Sequence, residues 1–434
     1  MTADAGSRQG TVFIASRLIV DAATAVAPGA VAVAEGTVLL AGAKDDVLRA
    51  VPASFGRKEF PGGWILPGLV NAHTHLQIPR WVDADGEPIP IPRSFPEWIL
   101  RVIAWRRGAN PSSFPRNFKA AAREAIACGT TSVGEIGGPE LSVYPGCPLR
   151  ARVYAEGIGF APDAAAEALG SVTVAVRRLE KASSGNPLVA PGVSPHTLYT
   201  AGETLLRSLA GLAARRKVPI CLHLLESPAE TVFLETGGGE IAKRLYGALN
   251  KDVSWFRGLG RPVPEYLAEM GLLHDGLLLA HNVHLPTAWI DALRNGGARF
   301  VLCPRSNAAH GNGAPDVTYF VDSGIPFALG TDSLASVPDL SLWNEIRCTR
   351  SLYHGGKEDR DLCRELFRAA TENGAAALGL AGGILAPGTP ADLIVVDDPG
   401  GGDDAALASL VERTEGRNVR LTVVGGRIVH GDAA

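Results

Sequence analysis

The chain has 434 residues, enough for a large core and for more than one structural unit. Hydrophobic residues are 46% and charged residues 20%, and a net charge of −4 excludes a basic footprint for nucleic acid or a polybasic membrane patch. No apolar run approaches the roughly 20 residues that span a bilayer, the N-terminus lacks a signal peptide's apolar segment, and six cysteines at unpaired spacings read as reduced thiols, so the expectation is a cytoplasmic protein.

Short β-type runs over 11–20, 30–34 and 37–41, punctuated by Gly29, Gly36 and Gly42, open the chain. A further apolar run, from residue 64, ends in His73 and His75. Side chains at i and i+2 of a strand share a face, so both imidazoles reach one point beyond the strand's end. From 65 to 384 strand and helix patterns alternate. Strands are predicted over 132–135, 152–158, 188–193, 219–224, 277–280, 300–303 and 326–330, and helices over 117–127, 202–215, 287–294 and 361–378. The stretch 236–261, with Gly237-Gly238-Gly239 and Trp255-Phe256, is longer than a usual βα loop and reads equally as a lid or as a surface excursion. Residues 391–397 and 421–429 return to the β style, the latter as a hairpin around Gly425-Gly426.

The fold class this predicts is α/β: a (β/α)8 TIM barrel over 65–384, with a small β-sandwich built from both chain ends, 1–64 and 385–434. Active sites of such barrels lie at the C-terminal ends of the strands. His223, His281 and Asp332 each follow their own apolar run, as His73 and His75 do. Singly, each fits a structural role, and His274, His284, His310, His354 and His430 keep that reading. As a set in strand order they point to chemistry.

Three histidines (His73, His75, His223) and Asp332, with a position left for water, form a catalytic site for one divalent metal ion, zinc first and iron second. Coordination brings the water's pKa toward neutrality. Glu226, three residues after His223, is placed to move its proton, and His281 to hold the water or polarise the leaving group. A binuclear site is disfavoured, because the run 188–193 carries neither Lys nor Glu to bridge two ions.

The motifs are specific beyond this. Leu-Pro-Gly-Leu-Val-Asn-Ala-His-Thr-His (66–75), Ser-Pro-His-Thr-Leu-Tyr-Thr (194–200), His-Leu-Leu-Glu-Ser (223–227), Leu-Ala-His-Asn-Val-His-Leu (279–285), Cys-Pro-Arg-Ser-Asn (303–307), Leu-Gly-Thr-Asp-Ser-Leu-Ala-Ser (329–336) and Gly-Thr-Pro-Ala-Asp-Leu-Ile-Val-Val-Asp (388–397) together resemble the amidohydrolase superfamily. The branch is that of S-adenosylhomocysteine, methylthioadenosine, aminodeoxyfutalosine and guanine deaminases and the triazine chlorohydrolases. The resemblance covers nearly the whole chain. It implies metal ligation by His73, His75, His223 and Asp332, proton transfer at Glu226 and hydroxide positioning at His281, with Glu226, His281 and Asp332 counted as catalytic.

It also implies substrate contacts from Glu97, in Phe-Pro-Glu-Trp-Ile-Leu (95–100), to ribose hydroxyls, and from His196, with Glu226 touching the substrate as well. No counterpart is evident of the arginines that bind the amino-acid carboxylate of S-adenosylhomocysteine in that branch. The favoured activity is deamination of an adenine-type nucleoside by a metal-bound hydroxide. Hydrolysis of another heterocycle (guanine, a chloro-triazine, a cyclic amide) stays open, as does a non-catalytic scaffold on the same barrel. The expected partners are a small-molecule substrate and further copies of the chain, without nucleic acid or membrane.

Overall fold

The computed structural model describes residues 9–92, 94–402 and 405–431. The first part of the chain supplies β1 (Gly10–Ile19), β2 (Ala25–Val26), β3 (Gly29–Ala34), β4 (Thr37–Ala43) and β5 (Gly56–Pro67). Next come β6 (Leu69–Thr74), β7 (Thr130–Gly137), β8 (Arg150–Gly157), β9 (Val189–Pro195), β10 (Ile220–Leu224), β11 (Leu277–His281), β12 (Arg299–Leu302) and β13 (Phe327–Leu329). The last are β14 (Leu393–Asp397), β15 (Val419–Val424) and β16 (Arg427–His430).

The two chain ends meet in one eight-stranded sheet, ordered β16-β15-β14-β5-β1-β3-β4 with β2 beside β1. Only β1 and β5 run parallel in it. The period of two sorts its side chains. Phe13, Ala15, Val31 and Val33 pack inward against Ile65, Leu393, Val395 and Leu421, whereas Val12, Ile14, Ala30 and Ala32 face the other way, onto Val47 of the helix Lys44–Ala50. The sheet curls back on itself: the amide of Val38 in β4 donates to the carbonyl of Thr389, just ahead of β14. The small β-sandwich expected from both chain ends is thus built from one sheet rolled on itself.

At Gly68 the chain passes from this sheet into the barrel. Strands β6 to β13 lie parallel and adjacent in sequence order. The ring closes where Thr74 bridges Asp332, whose amide donates to the carbonyl of His73 at 3.0 Å. Asn71 clasps the same seam: its amide donates to the Thr331 hydroxyl at 2.7 Å and its carbonyl accepts the Thr331 N–H at 3.0 Å. Small and medium side chains fill the interior, among them Val70, Ala72, Cys221, Leu278, Ala280, Val301 and Ala328.

The helix predicted over 361–378 is two, Asp359–Ala369 and Glu372–Ala377. The carbonyl of Ala370 accepts the amide of Val70 instead of continuing the helix. The second helix brings Ala375 into the barrel's inner cluster, with Gly374 against Val70 near the start of β6. None of the six cysteines is paired, and among the described residues no helix is long and apolar enough to cross a membrane.

Candidate active site

The His-x-His pair does not reach the barrel mouth by simple alternation. Asn71 faces Val133 and Thr74 faces Glu135, so three steps of β6 oppose two of β7. Val70 and Ala72 point into the barrel, and a regular strand would send His73 the other way. The extra residue is a bulge, which re-aims the side chain. Gly330 leaves the room: a Cβ there would lie 2.7 Å from the Cβ of His73.

His73 is fully buried, and neither of its ring nitrogens has a hydrogen-bond partner. Unsatisfied buried nitrogens are costly unless something binds them. His223 donates from Nδ1 to the backbone carbonyl of His196 at 2.8 Å, which frees the Nε2 lone pair. That Nε2 lies 3.3 Å from Nε2 of His75, which lies 3.5 Å from Oδ1 of Asp332. Ligand atoms around a tetrahedral ion at 2.0–2.1 Å are about 3.4 Å apart, so both separations fit. The other oxygen of Asp332 accepts from Ser306 at 2.6 Å and Ser336 at 3.1 Å, leaving Oδ1 free. Burial, then neighbouring imidazoles, hold His73 and His223 well below the ordinary histidine range, so both are neutral donors of a lone pair. Burial alone would push Asp332 up, but His75, His281 and His73 hold its carboxyl below the usual range. His73, His75 and Asp332 form one group of convergent ligand atoms, and His73, His223 and His281 another. The donor set fits a divalent metal ion.

Backbone strain concentrates here. Among the described residues, seven non-glycine positions have positive φ, and four of them are Leu225 (48°), His281 (73°), Asn282 (57°) and Asp332 (63°). Such conformations persist where the surroundings enforce them, and they cluster at functional sites. The turn at Leu225 carries Glu226 off the line of β10 and over the cavity. Its amide donates to Glu230 Oε2 at 2.8 Å, and Ser227 caps the following helix, Pro228–Thr236.

Glu226 is buried, and burial, reinforced by the charge of Asp332, pushes its carboxyl well above the usual range. His281 donates from Nδ1 to Asn307 Oδ1 at 2.9 Å, which leaves its Nε2 as an acceptor 3.8 Å from Glu226 Oε2. That gap is too long for a direct hydrogen bond. A separation of that size is one that a single hydrogen-bonding group can span.

The cavity beside these groups is lined by His75, His196, His223, Glu226, His281 and Asp332 on one side. Phe95, Trp98, Ile99, Val102 and Phe160 make much of the rest. Leu245, Tyr246, Leu249 and Val253 also line it, so the middle of the stretch 236–261 is cavity wall rather than a surface excursion. His196 keeps its ring in the cavity, with Nδ1 2.8 Å from the Thr200 hydroxyl. Glu97 is not among the lining residues. It accepts from Arg244 at 2.7 Å, with half of each side chain exposed.

Three residues without an expected role stand out: Asn307, which sets the tautomer of His281, Glu156 at the end of β8, and Glu135 at the end of β7. Glu156 follows the short apolar run Val153-Tyr154-Ala155, the kind of signal that singled out Asp332; Glu135, after Thr-Thr-Ser-Val-Gly, carries no such signal. Glu135 anchors the His-x-His segment from behind, accepting from the Leu76 amide at 3.0 Å and the Thr74 hydroxyl at 2.8 Å. Burial pushes its carboxyl up to about 8, against those hydrogen bonds. A carboxyl raised on folding contributes stability that is complete below its unfolded pKa and is lost as pH climbs through the folded value. Thermal unfolding between pH 6 and 9 is therefore expected to show the midpoint falling with pH, and Glu135→Gln to flatten part of that fall. Equal slopes for the two proteins would mean that Glu135 is ionised throughout.

Comparison with known proteins gives the chain's family and supports its fold. The amidohydrolase family model matches residues 64–429. A 5-methylthioadenosine/S-adenosylhomocysteine deaminase of Nitratidesulfovibrio vulgaris is 30% identical over 420 residues, 94% of this chain and 89% of that one. An aminodeoxyfutalosine deaminase of Deinococcus radiodurans is 32% identical over 367 residues, 82% of each. Among solved structures, Helicobacter pylori aminofutalosine deaminase in complex with methylthio-coformycin superposes with a TM-score of 0.81 at 22% identity, covering 97% of this chain and 100% of that one. A Xanthomonas campestris adenosine deaminase with bound zinc gives 0.79 at 22%, covering 98% and 93%. With the barrel, its cluster of convergent side chains and a family match over most of its length, the chain is a hydrolytic enzyme of the amidohydrolase family.

Proposed function

We propose that the enzyme deaminates an adenine-type nucleoside, of the methylthioadenosine, aminodeoxyfutalosine or S-adenosylhomocysteine kind, by hydrolysis. The observation that carries this reading is the pairing of Glu226 and His281 across a gap of 3.8 Å, beside the convergent ligand atoms. The names of the relatives support it. His73, His75, His223 and Asp332 would hold one divalent ion, zinc first and iron second, which when bound makes water a nucleophile at neutral pH.

The residues then divide the work. Nε2 of His281 accepts a hydrogen bond from the attacking water and orients it, since Asn307 keeps the proton on Nδ1. Glu226 takes one proton from that water and delivers it to the ring nitrogen next to the attacked carbon. It then takes the second from the hydroxyl just added to that carbon and delivers it to the amine, so that ammonia leaves as the carbonyl forms. Burial, which pushes its carboxyl up, strengthens it as an acceptor of the proton it must take. The apolar wall of Phe95, Trp98, Ile99 and Phe160 suits a flat heterocycle and keeps competing water out.

Ammonia release from methylthioadenosine, S-adenosylhomocysteine, aminodeoxyfutalosine, adenosine and guanine tests this. Turnover of one or more adenine nucleosides at least tenfold faster than guanine is the expected result. Guanine as the best substrate, or release from none of the five by metal-loaded enzyme, would overturn it.

A further inference from the structure

The cavity holds a second carboxylate that the proton chemistry does not use. Glu156, the penultimate residue of β8, lines the cavity with a side chain only 9% exposed. Arg106, in the last turn of the helix Phe95–Gly108, reaches over and donates from Nη1 to Glu156 Oε2 at 3.3 Å. Among the described residues the Glu156 side chain makes no other hydrogen bond, so Oε1 has no protein donor. One contact to a partly exposed guanidinium is little compensation for a carboxylate so far out of water. Acceptor capacity is left over, and it faces the place where a ligand must lie.

The chemistry of that ligand follows from what an ionised carboxylate can bond. The Arg106 guanidinium paired with Glu156 favours its ionised form. It is then an acceptor only, and requires donors. An adenine ring offers none besides the amine that leaves, since its remaining ring nitrogens are acceptors. The vicinal hydroxyls of a sugar are donors, and the neighbouring wall of Ile99, Val102, Ile158 and Phe160 gives them no side-chain acceptor. Glu97, the acid that the sequence motif points to, already meets Arg244 outside the cavity lining.

Building on the nucleoside reading above, we propose that Glu156, oriented by Arg106, accepts hydrogen bonds from the 2′- and 3′-hydroxyls of the substrate and sets the preference for a ribonucleoside. Arg106 is a positioning residue: it holds one oxygen of Glu156 so that the other faces the sugar.

The test compares kcat/KM for adenosine and 2′,3′-dideoxyadenosine in the metal-loaded wild type, Glu156→Gln, Arg106→Met and Glu97→Gln, with metal content measured for each. The wild type should prefer adenosine by about tenfold or more, the range for hydrogen bonds to a charged group. Glu156→Gln should bring that ratio close to one, mainly through a higher KM for adenosine, with its metal retained. Arg106→Met should lower the ratio less. If Glu156→Gln fails to fold, Glu156→Asp keeps the charge, withdraws its reach and should lower the ratio too. A ratio unchanged in the Glu156 variants, or lost in Glu97→Gln alone, overturns the assignment while leaving the deaminase reading intact. A wild type that releases ammonia from neither nucleoside nor from any other of the panel overturns both.

Discussion

Glu226→Gln is expected to lower turnover by roughly a hundredfold or more, the range for removing a general acid–base group. Metal content and substrate affinity should stay near those of the wild type. Glutamine matches the size and hydrogen-bonding reach of the carboxyl but cannot cycle a proton. The backbone that places residue 226 does not depend on the carboxyl: the positive φ of Leu225, the amide bond to Glu230 and the Ser227 cap all remain. The buried acid Glu230 also remains, four residues on, but it already accepts the Glu226 amide, and its Oε2 is held there. It is poorly placed to take over. The measurement is ammonia release under saturating substrate, with elemental analysis of the same preparation. Near wild-type turnover would refute the role. Loss of the metal would make Glu226 a ligand, and a raised KM with unchanged kcat would make it a binding group only.

Much of the architecture is legible in the sequence because parallel barrel strands are buried on both faces and read as apolar runs. The runs before His223, His281 and Asp332 end where the strands end, and barrel geometry brings strand ends to one mouth. What is not legible is where alternation breaks. The spacing of His73 and His75 suggests a regular strand, whereas a bulge between Asn71 and Thr74 aims them. Nothing local in Asn-Ala-His-Thr encodes that slip; it depends on pairing with β7, some 60 residues later. The same holds for Glu97. Its partner, Arg244, lies 147 residues away, in the stretch 236–261 whose aromatic residues pack with Phe160. Glu156 was readable as a strand-end acid, but its pairing with Arg106 exists only once the helix Phe95–Gly108 lies across the mouth.

The wild type should carry about one zinc or iron per chain, and His73→Ala should lose most of it, together with activity. His73 is the strongest probe among the proposed ligands because its side chain has no other structural employment. His223 is tied to the His196 carbonyl and Asp332 to Ser306 and Ser336, so their substitution also disturbs neighbours. Both nitrogens of His73 are buried without any partner, and the ring meets His75, His223 and His281 edge-on at 4.8 to 5.3 Å between centroids. Alanine removes an imidazole whose burial is costly by itself. The metal-free His73→Ala chain should therefore unfold no earlier than metal-free wild type, and only the metal-loaded wild type should gain a higher midpoint, since an ion bound to the folded state alone stabilises it by mass action. Elemental analysis of the two proteins, paired with thermal unfolding before and after chelation, separates the cases. Equal metal content would remove His73 from the ligand set. A His73→Ala protein that unfolds well below the chelated wild type would make His73 a packing residue, and its loss of metal a consequence of a damaged core.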